Sequence, residues 1–129
     1  MGRKFLILGS LFAFLSVAFG AFGAHALKDK LEPKYLEVFQ TGVHYQGFHA
    51  LALILAASLL YFKPELKRLA LVCWLFTLGI LIFSGSLYAL SMTGVKWLGA
   101  ITPIGGICFL SGWVVLTVVA ASLPESHRS

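Results

Sequence analysis

Charge is scarce in this chain. Lys and Arg together number ten, and Asp and Glu five, among 129 residues. Charged side chains make up 12% of the sequence and hydrophobic ones 59%, and a water-soluble domain needs a larger polar shell than that. Acid is scarcest where it would matter most. Residues 5–27, 43–62, 69–92 and 97–123 contain no Asp or Glu. Proton-coupled carriers usually work through a buried carboxylate, and only Glu37, at the rim of the second stretch, lies near enough to be recruited. A carboxylate dyad and a nucleophile–base pair are missing too, which leaves no recognisable catalytic constellation. Cysteine is limited to Cys73 and Cys108, each deep in an apolar run. That excludes a disulfide framework or a CxxC redox motif and leaves two small packing residues. The phosphate-binding pattern GxxxxGK[ST] is absent, and Gly105-Gly106 alone does not replace it.

The net charge of +5 does not indicate nucleic acid. The basic residues are scattered over termini and loops, where topology signals sit, with no basic stripe or aromatic platform. Arg3, Lys4, Lys63, Lys67, Arg68 and Arg128 fall on one side, and Lys28, Lys30, Lys34 and Lys96 on the other. The bias predicts cytoplasmic termini.

What is present is four long apolar runs, at about 5–27, 43–62, 69–92 and 97–123. The first would extend roughly 34 Å as a helix, enough to cross the hydrocarbon core. Arg3, Lys4 and Ala24-His25-Ala26 also resemble a signal peptide, but the apolar run is too long for one. The reading is therefore a retained span. Small residues Gly9, Ala13, Ser16, Gly20 and Ala24 are expected on one packing face, with Phe12, Phe19 and Phe22 turned toward lipid or a neighbour. Between the first two runs, Leu31, Tyr35, Val38 and Phe39 follow helical spacing behind Pro33. This predicts a short amphipathic helix at the membrane surface. Lys63-Pro64 ends the second span. Pro103, inside the fourth run, is expected to kink that helix. The expectation is an all-α integral membrane bundle of four transmembrane helices, one domain over residues 1–129, with an interfacial helix after the first span.

The stretch from Thr41 to His49 concentrates polar groups inside a span. Tyr45, Gln46 and His49 are spaced to share a face, and a polar face on a spanning helix normally turns inward. Two readings follow: a ligand or proton site, or interhelical hydrogen bonds that fix the fold, the latter being common in bundles. His44 and His49 lie about 140° apart on a helix and do not readily share a metal. His25 would meet one of them if the first two spans pack antiparallel, or would pair with Asp29. With no acid or thiolate close by, no metal site and no cofactor is expected. Ser84 and Ser86 in the third run, Tyr88 after them, and Thr102 in the fourth add hydroxyls that can bond between helices.

Gly20-Ala-Phe-Gly-Ala-His25, Thr41-Gly42 with Tyr45-Gln46 and His49, Phe83-Ser-Gly-Ser-Leu-Tyr88, and Thr102-Pro-Ile-Gly-Gly106 with Phe109 and Gly112-Trp113 occur in this order. Over residues 5–121 the chain resembles the YgdD-like family of small bacterial inner-membrane proteins, a family of unknown function. The resemblance implies four spans in a bacterial plasma membrane and supplies no activity, substrate or cofactor.

The functional expectation is a non-enzymatic membrane protein. Its polar cluster of His25, Tyr45, Gln46, His49, Ser84, Ser86, Tyr88 and Thr102 would bind a small ligand or lipid, or contact a partner. The alternative is an oligomeric transporter or channel subunit, and after it a haem- or metal-binding membrane protein. The partners expected are membrane lipids, a small ligand and further copies of the chain, and not nucleic acid.

Overall fold

The computed structural model describes residues 1–125. Arg128, counted above for topology, lies outside them. The fold is all-α. Among the described residues, four helices are long and apolar enough to cross a membrane: α1 (Gly2–Leu27), α2 (Pro33–Phe62), α3 (Arg68–Thr93) and α4 (Lys96–Ala121). Each packs mainly on its neighbour in sequence, so the chain runs up and down, with α2 and α3 central. The most deeply buried side chains come from these two, including Leu53, Ala56, Leu69, Val72, Cys73 and Phe76.

Local chemistry sets the helix ends. Pro33 stands in the first turn of α2, where a missing N–H costs nothing. Lys63, just before Pro64, closes α2 and donates its N–H to Leu59 O. Gly94 ends α3 in the left-handed region, at φ 73°, and its N–H reaches Leu90 O at 2.8 Å. A residue with a Cβ adopts that conformation only under strain.

Interhelical packing alternates phenylalanine with glycine. Gly2, Gly9, Ser16 and Gly23 recur every seven residues along α1, and Phe5, Phe12 and Phe19 recur between them. Gly2 lies so close to α2 that an added Cβ would sit 2.8 Å from Ala57 O and Tyr61 N. Gly9 faces Ile54 and Ala50, and Gly23 faces the Phe39 ring. Phe5 and Phe12 are buried in the same seam. A repeat of seven keeps one stripe against a neighbouring helix through a left-handed twist. This corrects the expected separation of a small-residue face from a bulky one. Phe12 and Phe19 point inward beside Gly9 and Ser16, whereas Ala24 and Phe22 are exposed. Between α3 and α4, Gly79 receives the Phe109 ring, Gly112 the Phe76 ring, and Gly105 the backbone at Phe83. Lipid tails are as apolar as these side chains, so close approach and dispersion hold such helices together.

Two further expectations change. The amphipathic stretch after α1 is no separate surface helix: α2 runs unbroken from Pro33 to Phe62. Phe39 is buried against Phe19 and Tyr88 rather than lying on lipid, and that packing carries the helix straight into its span. Nor does Pro103 kink a helix. Residues Lys96–Ala100 form a 3₁₀ turn, and Pro103 opens the α-helical part that begins at Thr102. In that first turn proline breaks no hydrogen bond.

Candidate functional site

Because α2 starts at Pro33, His49 lies near the middle of its helix. It meets Phe76 of α3 and Phe109 and Trp113 of α4. The Trp113 indole N–H donates to His49 Nε2 at 3.0 Å. Indole is a donor only, so Nε2 is bare and the ring proton sits on Nδ1. From there it is donated to Tyr45 O at 3.0 Å. The imidazole stacks on Phe109 with centroids 3.6 Å apart and planes 8° apart. Both nitrogens and one face are thus committed. Ligation of a metal or haem by His49 would require displacing Trp113.

Gln46, 3% exposed, joins three helices. Its Nε2 donates to Phe12 O of α1 at 2.8 Å, and its Oε1 accepts the Tyr88 hydroxyl of α3 at 2.6 Å. Nearby, Ser84 donates to Gly42 O at 2.7 Å and Ser16 donates to Val43 O at 3.1 Å. A helical carbonyl has a second lone pair to accept these bonds. Ser86 bonds to Thr102 and to Phe83 O, linking α3 to the start of α4. Ser84 closes a π turn, Ile80–Ser84, within α3. Among the described residues, no buried side-chain nitrogen or oxygen is left without a partner.

Of the residues singled out in the sequence, the structure brings Gln46, His49, Ser84 and Tyr88 together around α2, with Ser86 and Thr102 as a separate pair between α3 and α4. Tyr45 stands apart. Adjacent helical residues are about 100° apart, so when Gln46 points inward Tyr45 falls on the flank, 40% exposed. Its ring leans on Phe83 at 4.8 Å and on His49 at 6.2 Å. His44 and His25 are exposed, and His25 takes no part in the cluster. Sequence reasoning missed Ser16, the Phe12 carbonyl, Phe109 and Trp113 as members. One signal did exist for Trp113. An indole N–H buried far from the interface needs an acceptor, and His49 is a suitable one.

The arrangement closes the interior. Hollows indent the surface at the two ends of the bundle and along the outer face of α1, and no residue of the cluster lines these. Among the described residues, no three of His, Cys, Asp and Glu converge as a metal site would require.

Comparison with known proteins gives a family and no activity. A family model described as "Protein of unknown function (DUF423)" matches residues 19–106. The membrane protein YwdK of Bacillus subtilis is 47% identical over 118 residues, covering 92% of this chain and 96% of the relative. A membrane protein of Staphylococcus epidermidis is 46% identical over 116 residues, covering 90% and 93%. One of Haemophilus influenzae is 45% identical over 116 residues, covering 90% and 92%. No solved structure matches. The motifs pointed to a small membrane-protein family of unknown function, and the match is to such a family: the chain belongs to the UPF0382 membrane proteins.

Proposed function

We propose that this chain is a non-enzymatic interaction subunit of the bacterial plasma membrane that works by helix docking along α2. One contrast supports the reading. The interior polar cluster is closed by its own hydrogen bonds, while His44 and Tyr45 lie exposed on the flank of the same helix, beside exposed Phe48. Both sit about 6–8 Å along the axis from His49, by the helical rise, well within the ~15 Å half-thickness of the hydrocarbon. Polar side chains at that depth usually turn toward a partner. The partner that fits is a second copy. Across a two-fold axis, the His44 ring of one copy can bond to the Tyr45 hydroxyl of the other, giving the self-complementary contact such symmetry requires.

The ligand-binding reading of the cluster has less support, because the groups it would use already bind one another. A transport reading would need a path between copies, since Gln46, His49, Phe76 and Phe109 fill the middle of one. The likeness to YgdD-like inner-membrane proteins and the excess of Lys and Arg on the side of the N-terminus and the α2–α3 loop support a plasma-membrane protein with cytoplasmic termini. The test is the oligomeric state in lipid nanodiscs, by native mass spectrometry. The wild-type chain is expected as a dimer and the H44L/Y45F variant as a monomer. An unchanged dimer fraction in that variant would overturn the docking strip.

A further inference from the structure

The two ends of the bundle differ in a way the docking strip does not explain. At one end, Gly2 packs on Ala57 and Tyr61, which brings the N-terminus beside the loop between α2 and α3. Arg3, Lys4, Lys63, Lys67 and Arg68 gather there, with Glu65 and Glu125 as the acids among the described residues. At the other end, Lys28, Lys30, Lys34 and Lys96 are nearly balanced by Asp29, Glu32 and Glu37.

The basic end is also indented. A hollow of about 290 Å³ lies over the start of α3, lined by Glu65, Leu66, Lys67, Arg68, Val119 and Ser122. An adjoining slot of about 130 Å³ shares Leu66 and Val119 with it and runs between the ends of α2 and α4. Leu59, Leu116 and Ala120 form its deeper part, and Lys63, Leu123 and Pro124 its mouth. From Leu116 to Leu123 is roughly 10 Å along a helix. The slot thus leads from the hydrocarbon to the membrane surface and opens at a lysine.

We propose that this end holds one anionic glycerophospholipid, with the upper part of an acyl chain in the slot between α2 and α4 and its phosphate among Lys63, Lys67 and Arg68. An apolar channel with cations at its mouth is complementary to a lipid that joins a hydrocarbon tail to a negative headgroup, and basic pockets between spanning helices recognise such headgroups. A zwitterionic lipid fills the slot equally well but gains less from the three cations. Glu65, on the rim of the larger hollow, disfavours a second anion there.

The experiment uses the full chain in nanodiscs of phosphatidylcholine and phosphatidylglycerol in equal parts, released for native mass spectrometry. The wild-type chain is expected to retain one phosphatidylglycerol. The triple variant K63Q/K67Q/R68Q is expected to lose the preference for it by about tenfold or more, since each surface cation attracts anionic lipid appreciably. The triple variant K28Q/K30Q/K96Q, at the other end, is expected to keep it. Ala120→Trp fills the slot and leaves every charge in place, and it too is expected to lose the retained lipid. Unchanged retention in either K63Q/K67Q/R68Q or Ala120→Trp, or equal loss in K28Q/K30Q/K96Q, would overturn the site. Melting temperature in the same discs identifies a misfolded variant, in which case Lys63→Gln alone gives the decisive reading.

Discussion

Trp113 and His49 meet from α4 and α2 at 3.0 Å, and the indole N–H fixes which imidazole nitrogen carries the proton. Trp113→Phe keeps an aromatic ring but removes the donor and part of the indole packing against Phe48 and Phe76, leaving Nε2 unpaired inside the bundle. The expected loss is about 1 kcal/mol of stability in bicelles. A double-mutant cycle with His49→Phe should give a coupling of about 0.6 kcal/mol and no more than about 1.7, the average and the maximum for hydrogen bonds between membrane helices. A coupling near zero would mean that the bond contributes nothing beyond the packing of the two rings.

Gln46 accepts from Tyr88 and donates to Phe12 O. Gln46→Leu therefore strands a hydroxyl and is expected to cost about 1–3 kcal/mol. Removing that hydroxyl as well should recover part of the loss, so the variant carrying both Gln46→Leu and Tyr88→Phe is expected to be more stable than Gln46→Leu alone. Steric-trapping measurements of unfolding in lipid would decide it.

The glycines make unequal demands. An added Cβ at Gly105 would lie 2.8 Å from Phe83 Cα, whereas at Gly85 it would meet nothing within 4 Å. Gly105→Ala is expected to destabilise by about 1–3 kcal/mol, the usual cost of overpacking. Gly85→Ala is expected to stabilise by roughly 0.5–1 kcal/mol, since glycine is a poor helix former. Thermal melts of the two variants in one detergent give the comparison directly.

The seven-residue seam of α1 can be separated from the small-residue face read in the sequence. Gly9 is buried against Ile54, and Ala24 is exposed. Gly9→Leu is expected to push α1 away from α2 and weaken the bundle by about 1–3 kcal/mol or more. Ala24→Leu should stay within about ±0.5 kcal/mol, as for other exposed positions. Thermal melts of the two variants in one detergent measure the difference.

Much of the fold was legible because the bilayer imposes it. Apolar runs free of Asp and Glu have to span as helices, which satisfy their own backbone hydrogen bonds. Pro64 marked an end of α2 that the helix respects. The polar stretch Thr41–His49 stood out for the cost of burying such groups. Gln46 and His49 do turn inward, to 3% exposure each.

What the sequence determined alone was periodicity and cost: where spans fall, and which side chains need partners. Those are one-dimensional properties, set by solvation and helical rise. Only the tertiary structure decided which partners they take. The acceptor for Gln46 is a main-chain carbonyl on α1, which carries no sequence signature, and Trp113 reaches His49 across 64 residues of chain. The inward turn of Phe12, the continuity of α2 through Phe39 and the outward place of Tyr45 likewise depend on which neighbour each helix packs against. That choice is made by close approach at Gly2, Gly9, Gly79, Gly105 and Gly112, where the absence of a side chain has meaning only once the opposing surface is known.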